Sequence, residues 1–551
     1  MKQLIARLAL TGLLGLFLSA CGGGSSTSSI DTDDSQAIAT ATLGNPALGL
    51  GILPSGQLLT ASNVVPGGLT TIPIGDLEDA YEKAFCQLDS DRGITLQSPK
   101  CQSNIAYVAA QAGTNYFDLA RQPILNNPLR VTGVSFESLV YSTTVPLPGG
   151  NRTFSVSGGL AMPLGINKSQ IKGVVVYFHG TQFDNQSVGS NLAPGSETLL
   201  VVSVFASQGY IVVLPDYIGQ GVDYKSVHPY VLYPKATAQT AVDMLTAVKP
   251  RIQNHYATTD ADRLKLFSTG YSEGGAYSLW FYVYINDNPS VLNGFYALTH
   301  SVGVEGAYST SEVTKGFLFD NVGKSNGNTY QIQTQATTNM VKPLLYADAL
   351  VSFATYSLDS DFGKVINPDF YAMTCGDSIA SDQSKCEFDV SGAMTKLNLA
   401  QALRFESVVP ATQVLNSAYG KTTGTYTYPR ELSMSTSTDN SVIALSAAID
   451  LPNDLALNQT LKDADVDLTH VPGRAVSIVS LNEDSIVSPN NFDLLLRRYP
   501  DKIRSAIKVD QNNLWVVSPV SPKTRALYAH PDHMSAPTYE FLYVLNIFNQ
   551  L

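Results

Sequence analysis

The amino-acid sequence predicts an α/β fold, in which helices cover both faces of a mostly parallel sheet. Three short apolar runs, at residues 173–178, 211–214 and 264–267, are typical of strands buried on both faces. Stretches of helical character, such as residues 236–248 and 276–284, lie between or after these runs. This alternation indicates a parallel sheet, because each parallel connection needs a crossover that a helix commonly supplies.

Antiparallel strands are expected at one edge of this sheet. Residues 134–141 and 154–162 are β-rich runs, and the segment 146–151 between them is rich in the Pro and Gly of turns. The strand–helix rhythm then lapses for a long stretch. It returns with the apolar run 475–480, and a final helix is expected over about 536–548.

The length and composition of the chain fit several structural units. Of the 551 residues 44% are hydrophobic and 15% are charged, which is enough apolar material for a large core. The net charge of −12 argues against a nucleic-acid partner, which would require clustered Lys and Arg. We predict a signal peptide over 1–20, a flexible tether over 21–45, an N-terminal extension over 46–130, the first part of the α/β core over 131–304, a cap or insertion over 305–470, and the second part of the core over 471–551.

The N-terminus carries an export signal. Lys2 and Arg7 precede an apolar run at residues 8–18, which is too short to span a bilayer. The sequence Leu-Ser-Ala-Cys ending at Cys21 resembles the lipobox of bacterial lipoproteins, and this resemblance implies that Cys21 is lipidated and becomes the first mature residue. Gly22 is not the aspartate of an inner-membrane retention signal, so an outer-membrane site in the bacterial cell envelope is expected. The alternative is an ordinary secretory signal with an incidental cysteine.

The remaining four cysteines suit disulfide bonds in an exported chain. We predict the local pairs Cys86–Cys101 and Cys375–Cys386, because each closes a short loop, although four cysteines allow three connectivities. A zinc site is the alternative for these cysteines, but no histidine lies near either pair in sequence.

The segment Gly270–Gly274 matches the pattern Gly-x-Ser-x-Gly with Ser272 at its centre. This pattern is typical of a sharp strand-to-helix turn that holds a serine in a strained conformation, while the glycines allow close approach of neighbouring backbone. A strand-like run precedes the motif and a helix-like run follows it. We therefore predict that Ser272 is a nucleophile, against the alternative of a glycine-rich structural turn.

The order of several motifs resembles the α/β-hydrolase superfamily, especially its secretory lipase and esterase branch. The predicted hairpin, His179-Gly180-Thr181, residues 215–221, residues 228–230 and the serine motif follow one another as in that family. The resemblance covers about residues 130–300 and 470–551, and it implies an α/β-hydrolase fold. Within such families Asp216 and Tyr217 would lie in the loop after the fourth strand, with a structural role.

A serine hydroxyl needs a base to remove its proton, so a histidine is required. In the α/β-hydrolase fold this histidine lies in a loop before the last helix, and of the seven histidines His530 and His533 fit that place. We favour His533, because it lies nearer the helix and small residues follow it. His530 precedes Pro531, which makes a structural role plausible.

The third member of the triad is expected in a loop after a late strand. Asp484 follows the apolar run 475–480 and is our candidate, with Glu483 as the near alternative. The alternative interpretation of Asp484 is an exposed loop carboxylate without a catalytic role.

The oxyanion of an acyl-transfer intermediate needs backbone N–H donors. One is expected from Glu273, directly after the nucleophile. The second is expected from the loop His179-Gly180-Thr181, which resembles the His-Gly oxyanion loop of esterases and lipases. The choice between Gly180 and Thr181 stays open on sequence alone.

Taken together, these residues predict a carboxylic-ester hydrolase that acts through an acyl-enzyme on Ser272 and needs no metal or cofactor. The expected partners are a small-molecule or lipid ester as substrate and a membrane reached through the lipid anchor. One alternative is a serine peptidase related to prolyl oligopeptidase, although about 90 residues before the hairpin are too few for the β-propeller such enzymes carry. Another is a non-catalytic binding protein on the same scaffold.

Overall fold

A computed structural model describes a large part of the chain, namely residues 69–77, 80, 131–182, 188–192, 196–223, 226–292, 294–315, 322–325, 328–331, 345, 348, 349, 352, 353, 355–357, 455–482, 484, 486–509, 533 and 536–551. Several predictions concern residues outside these ranges and stay predictions: the signal peptide, the tether, the lipidated Cys21, both cysteine pairs, Glu483 and His530.

Nine strands form one central sheet in the order β1-β2-β3-β5-β4-β6-β7-β10-β11. The first three are paired antiparallel, and β3 is antiparallel to β5, whereas the strands from β5 to β11 are parallel to one another. Their bounds are β1 Leu69–Pro73, β2 Gly133–Leu147, β3 Gly150–Leu164, β4 Gly173–Phe178, β5 Tyr210–Pro215, β6 Leu264–Tyr271, β7 Tyr296–Val304, β10 Val476–Leu481 and β11 Ile503–Val509. A separate two-stranded sheet contains β8 Val322–Ser325 and β9 Asn328–Gln331.

Helices lie on both faces of the central sheet. The principal ones are α1 Glu197–Phe205, α2 Pro234–Tyr256, α3 Glu273–Asp287, α4 Leu455–Asp463, α5 Asn490–Arg498 and α6 Ala536–Asn549. Residues of α2 and α3 share one apolar core with the sheet, and residues of α1 and α6 share the core on the opposite face. A third cluster joins α3 to α5 and to the start of β10. The predicted α/β layering is confirmed.

The alternation of side chains along β4 shows how the two cores form. Val174 and Val176 lie in the core with α2 and α3, whereas Val175 and Tyr177 lie in the core with α1 and α6. Successive side chains of a strand point to opposite faces, so a strand between two helix layers must be apolar at every position. This requirement explains the unbroken apolar run in the sequence.

The sheet also contains strands that the sequence analysis did not predict. The edge strand β1 lies within the segment assigned to the N-terminal extension, and its pairing with β2 runs from Leu69 opposite Glu137 to Pro73 opposite Gly133. The interior strand β7 and the edge strand β11 were also missed. None of the helices in the described ranges is long and apolar enough to cross a membrane.

Candidate active site

The serine motif forms a tight junction between β6 and α3. Ser272 has φ of 57° and ψ of −120°, a left-handed value of φ that non-glycine residues rarely adopt. Its N–H donates a hydrogen bond to the carbonyl oxygen of Val304 on β7 at 2.9 Å. A Cβ atom at Gly270 would overlap the carbonyl oxygen of Gly274, and one at Gly274 would overlap that of Phe178. The two glycines are therefore required by close backbone approach, as the motif predicts.

This strained serine stands at the carboxyl end of a central parallel strand and opens the following helix, with helices on both faces of the sheet. The chain has the α/β-hydrolase fold.

In this α/β-hydrolase fold, one histidine and one aspartate converge on Ser272 from distant parts of the chain. The Nε2 atom of His533 lies 2.9 Å from the Oγ atom of Ser272, across 261 positions of sequence. The Nδ1 atom of His533 lies 2.5 Å from the Oδ2 atom of Asp484. Asp484 follows β10 and His533 precedes α6, the places that the sequence analysis assigned to the acid and the base. The three side chains that the sequence analysis proposed as acid, base and nucleophile therefore lie in contact with one another.

Asp484 is held in place by its own loop. Its Oδ1 atom accepts hydrogen bonds from the N–H groups of Ile486 at 2.7 Å and Val487 at 2.8 Å, which leaves Oδ2 for the imidazole. The side chain of Asp484 is fully buried, and that of His533 is only 4% exposed. Burial removes water from the ion pair that would form when His533 takes a proton, and electrostatic stabilisation is stronger in such surroundings.

The loop after β4 lies beside Ser272 and holds the predicted oxyanion donors. The N–H of Gly180 donates to the Oε1 atom of Glu197 at 2.9 Å, so it already has an acceptor. The hydroxyl of Thr181 donates to the Oε2 atom of Glu273 at 3.1 Å. The N–H of Glu273, the other predicted donor, lies at the first position of α3.

Glu197, at the first position of α1, is hydrogen-bonded to the loop after β4. Its carboxylate accepts hydrogen bonds from the hydroxyl of Tyr177, the N–H of Gly180 and the side-chain amide of Gln182. Burial raises the pKa of Glu197 to about 7, and the hydrogen bonds from Tyr177 and Gly180 oppose that rise. The sequence analysis did not identify this residue, because its contacts lie 15 to 20 positions away in sequence.

Glu273 is also hydrogen-bonded to the loop after β4. Its Oε1 atom lies 2.6 Å from the Nε2 atom of His228, while its Oε2 atom accepts the hydrogen bond from Thr181. The ring of Tyr217 lies between His228 and His179, with ring centroids 5.1 Å and 3.9 Å away. Burial lowers the pKa of His179 to about 4, so this ring is neutral at physiological pH. His228 entered the sequence analysis only as part of the family resemblance.

Asp216, which the resemblance implies to be structural, joins two strands and a loop. It accepts hydrogen bonds from the hydroxyl of Ser157 on β3 and from both the N–H and the hydroxyl of Ser190, the latter two at 2.8 Å and 2.5 Å. Burial raises the pKa of Asp216 to about 6. All its contacts are structural ones, consistent with that role.

A group of three potential metal ligands includes Asp484 and His533 but not Ser272. Glu305, Asp484 and His533 each offer one ligand atom, and these atoms lie within 4.8 Å of one another. Asp484 already uses both of its oxygens in hydrogen bonds, to two backbone N–H groups and to His533. A cation at this point would have to break the contact between Asp484 and His533, so the donor set fits a metal poorly.

The chain is similar to several solved hydrolase structures at low sequence identity. No family model and no curated protein matches it. A putative hydrolase from Legionella pneumophila is 20% identical, with 80% of this chain and 94% of that chain covered and a TM-score of 0.47. The rice cell wall degrading esterase LipA from Xanthomonas oryzae is 16% identical, with coverage of 78% and 95% and a TM-score of 0.49. Candida antarctica lipase A in its closed state is 12% identical, with coverage of 68% and 72% and a TM-score of 0.42. Chains this distant can share an architecture and differ in reaction.

Proposed function

We propose that this protein is a serine hydrolase that cleaves carboxylic esters through an acyl-enzyme on Ser272. One observation carries the proposal: the continuous contact from Asp484 to His533 to Ser272, at 2.5 Å and 2.9 Å, ending on a serine held in a strained turn. A serine hydroxyl is a weak nucleophile until an oriented base takes its proton, and this arrangement meets that requirement.

The acylation step follows from the direction of these contacts. As the Oγ atom of Ser272 attacks the ester carbonyl, its proton passes to the Nε2 atom of His533. The carboxylate of Asp484 accepts the hydrogen bond from Nδ1–H and stabilises the imidazolium that forms. His533 then gives the proton to the leaving alcohol oxygen, the tetrahedral intermediate collapses, and the acyl group remains on Ser272.

The negative charge of the tetrahedral intermediate requires donors that are already oriented. We assign this role to the backbone N–H groups of Glu273 and Thr181. The side chains of these two residues are hydrogen-bonded to each other at 3.1 Å, which ties the loop that carries Thr181 to the start of α3. Water then attacks the acyl-enzyme, with His533 as the base, and the acid is released.

The substrate and location follow from the sequence and belong to the same proposal. An export signal that ends in Leu-Ser-Ala-Cys at Cys21 supports a lipid-anchored enzyme of the bacterial cell envelope, with the outer membrane favoured by Gly22. Such an enzyme would meet small-molecule or lipid esters that arrive from outside. Incorporation of a radiolabelled fatty acid that is lost in Cys21→Ala tests the anchor separately from the reaction.

The test of the reaction compares ester and amide substrates. A panel of nitrophenyl esters and aminoacyl amides is assayed with the wild-type protein, with Ser272→Ala, and with Ser155→Ala as a control at an exposed serine of β3. Ester turnover and fluorophosphonate labelling that disappear in the first variant alone support the proposal. Turnover of amides without esters indicates a peptidase. A wild-type protein that neither turns over esters nor reacts with the fluorophosphonate indicates a binding protein.

A further inference from the structure

Glu305 is a buried acid that the reaction described above does not use. It follows the last residue of β7, Val304, whose carbonyl oxygen accepts the hydrogen bond from the N–H of Ser272. Glu305 is 1% exposed and has φ of 49°, a left-handed conformation that is rare for a glutamate. Such a conformation persists only where the surroundings determine it, and it occurs often at functional sites.

The contacts of Glu305 lead directly to the triad. Its carboxyl group accepts hydrogen bonds from the N–H of Leu481 and, at 3.0 Å, from the hydroxyl of Ser480. One of its carboxyl oxygens lies within 4.8 Å of a carboxyl oxygen of Asp484. Two carboxyl groups can share a hydrogen bond only when one of them carries a proton, because two adjacent carboxylates repel each other.

The surroundings of the two acids decide which one holds the proton. Asp484 faces three donors, the N–H groups of Ile486 and Val487 and the imidazole of His533, and donors favour an ionised carboxylate. Glu305 accepts from two donors, the N–H of Leu481 and the hydroxyl of Ser480, and it faces the acids Asp484 and Glu540, the latter fully buried on α6. Burial, and then the charges of these two acids, raise the pKa of Glu305 well above its usual value. The proton therefore resides on Glu305.

We propose that Glu305 is a positioning residue whose protonated carboxyl group donates a hydrogen bond to Asp484 and so holds that carboxylate against His533. This inference rests on the proposed function. It extends the line of contacts by one member, from Glu305 through Asp484 and His533 to Ser272. The backbone of Glu305 is held as well, because its N–H donates to the carbonyl oxygen of Val479 at 3.0 Å.

Loss of this proton at alkaline pH would reverse the contact from attraction to repulsion. Among the described residues, the titratable groups near Glu305 are Glu540 of α6, Asp484, His533, and the phenols of Tyr271 and Tyr308. The acids and phenols are neutral or become negative as pH rises, so each favours a protonated Glu305, whereas an imidazolium at His533 would oppose it. Burial raises the pKa of Glu540 to about 8. The pair formed by Glu305 and Glu540 would therefore lose a proton at mildly alkaline pH.

The test measures kcat and KM for a nitrophenyl ester across pH with wild type, Glu305→Gln and Glu305→Ala, and with Glu312→Gln as the control. Glu312 forms an ion pair with Arg498 and is half-exposed. The amide of Glu305→Gln can still donate to Asp484, so its kcat at neutral pH should stay within about threefold of wild type. Glu305→Ala removes the donor, and its kcat should fall about tenfold or more with little change in KM.

The alkaline limb of the kcat profile separates a positioning role from a structural one. In wild type, the alkaline decrease of kcat reports loss of the proton from Glu305. Glu305→Gln should therefore shift the pH of this decrease by about one unit or more, whereas the control Glu312→Gln should not shift it. A limb unchanged in Glu305→Gln overturns the inference, as does a kcat in that variant that is as low as in Glu305→Ala. If Glu305→Ala does not fold, the limb of Glu305→Gln decides alone.

These outcomes are distinct from failure of the proposed function. A wild-type protein without ester turnover and without fluorophosphonate labelling contradicts the hydrolase itself. If the wild-type enzyme is active and labelled, but the Glu305 variants have the same kcat and the same pH profile as wild type, only the role of Glu305 is contradicted.

Discussion

The hydroxyl group of Tyr271 donates a hydrogen bond to the backbone carbonyl oxygen of His533, and the two rings lie 4.9 Å apart. The residue directly before Ser272 thus supports the position of His533. Tyr271 is 5% exposed, so water does not compete strongly for this contact. The turn at Ser272 and His533 are joined by this contact as well as by the contact between Ser272 and His533.

We expect Tyr271→Phe to lower kcat about tenfold with little change in KM. The substitution keeps the ring and removes the hydroxyl, and a buried carbonyl without a partner costs about 1–3 kcal/mol. Steady-state kinetics on an ester substrate measure the effect. The matched control is Tyr284→Phe, which removes a hydroxyl that contacts Gln239 on α2. Equal kcat values in the two variants would show that this contact does not position His533.

We expect Asp484→Asn to lower kcat by about 10³–10⁴-fold, because an asparagine in this place favours the wrong tautomer of the imidazole. Its side-chain oxygen can still accept from Ile486 and Val487, so the melting temperature should change little. Asp493→Asn is the control, at an acid that pairs with Lys508 at 2.7 Å.

His530→Ala should retain most of the activity. A severe loss there, with an active Asp484→Asn, would refute this assignment of base and acid.

We expect Gly274→Ala to disable the nucleophile elbow. The added Cβ would overlap the carbonyl oxygen of Phe178, which is backbone and cannot rotate away. The elbow must shift, so fluorophosphonate labelling of Ser272 should be lost or the protein should fail to fold. Gly75→Ala is the control, since a Cβ there meets no atom within 4 Å and the φ of Gly75 is not left-handed. An active, fully labelled Gly274→Ala protein would contradict the described elbow.

We expect His300 to make the fold sensitive to mild acid. Burial, aided by the charge of Arg504, lowers the pKa of His300 from 6.5 to about 3. Between these values the unfolded chain binds the proton and the folded chain does not, so stability falls as pH decreases below 6.5. From pH 7 to pH 5 the loss amounts to about 2 kcal/mol from this one residue.

Urea unfolding at the two pH values measures this contribution. His300→Gln should lose about 2 kcal/mol less than wild type between pH 7 and pH 5. The control is His470→Gln, at an exposed histidine that should behave as wild type. Identical pH dependence in wild type and His300→Gln would show that the buried imidazole does not control acid stability.

The elements that the sequence predicted are those with strong local patterns. The unbroken apolar runs of β4 and β5 and the turn at the tip of the β2–β3 hairpin are visible in neighbouring residues. The strand β7 was missed because it carries buried polar side chains, such as His300 and Ser301, which break the apolar pattern. Their partners lie far away in sequence: His300 contacts Ser477 at 2.8 Å, and Ser301 donates to the carbonyl of Ser278. A buried polar residue becomes acceptable only through such contacts.

The residues of the candidate site also divide into those with a recognisable sequence pattern and those that depend on distant contacts. The sequence placed Ser272 by its motif, and it placed Asp484 and His533 by their order along the chain. The contact of the Gly180 N–H with Glu197, on which our proposal of Thr181 as a donor depends, could not be predicted from the sequence. Glu305 left no signal, because it lies at the end of the strand that was missed.

The fold class and the turn at Ser272 could be predicted from the amino-acid sequence alone, because they depend on the period of apolar side chains and on the glycines of one tight turn. Asp484 and His533 were proposed from their order along the chain, by resemblance to the α/β-hydrolase superfamily. The contacts themselves appear in the folded chain alone: the imidazole of His533 lies against a serine 261 positions away, and a carboxyl oxygen of Glu305 lies within 4.8 Å of one of Asp484. Contacts between such distant segments depend on the free energy of packing the whole domain, which no short stretch of sequence encodes.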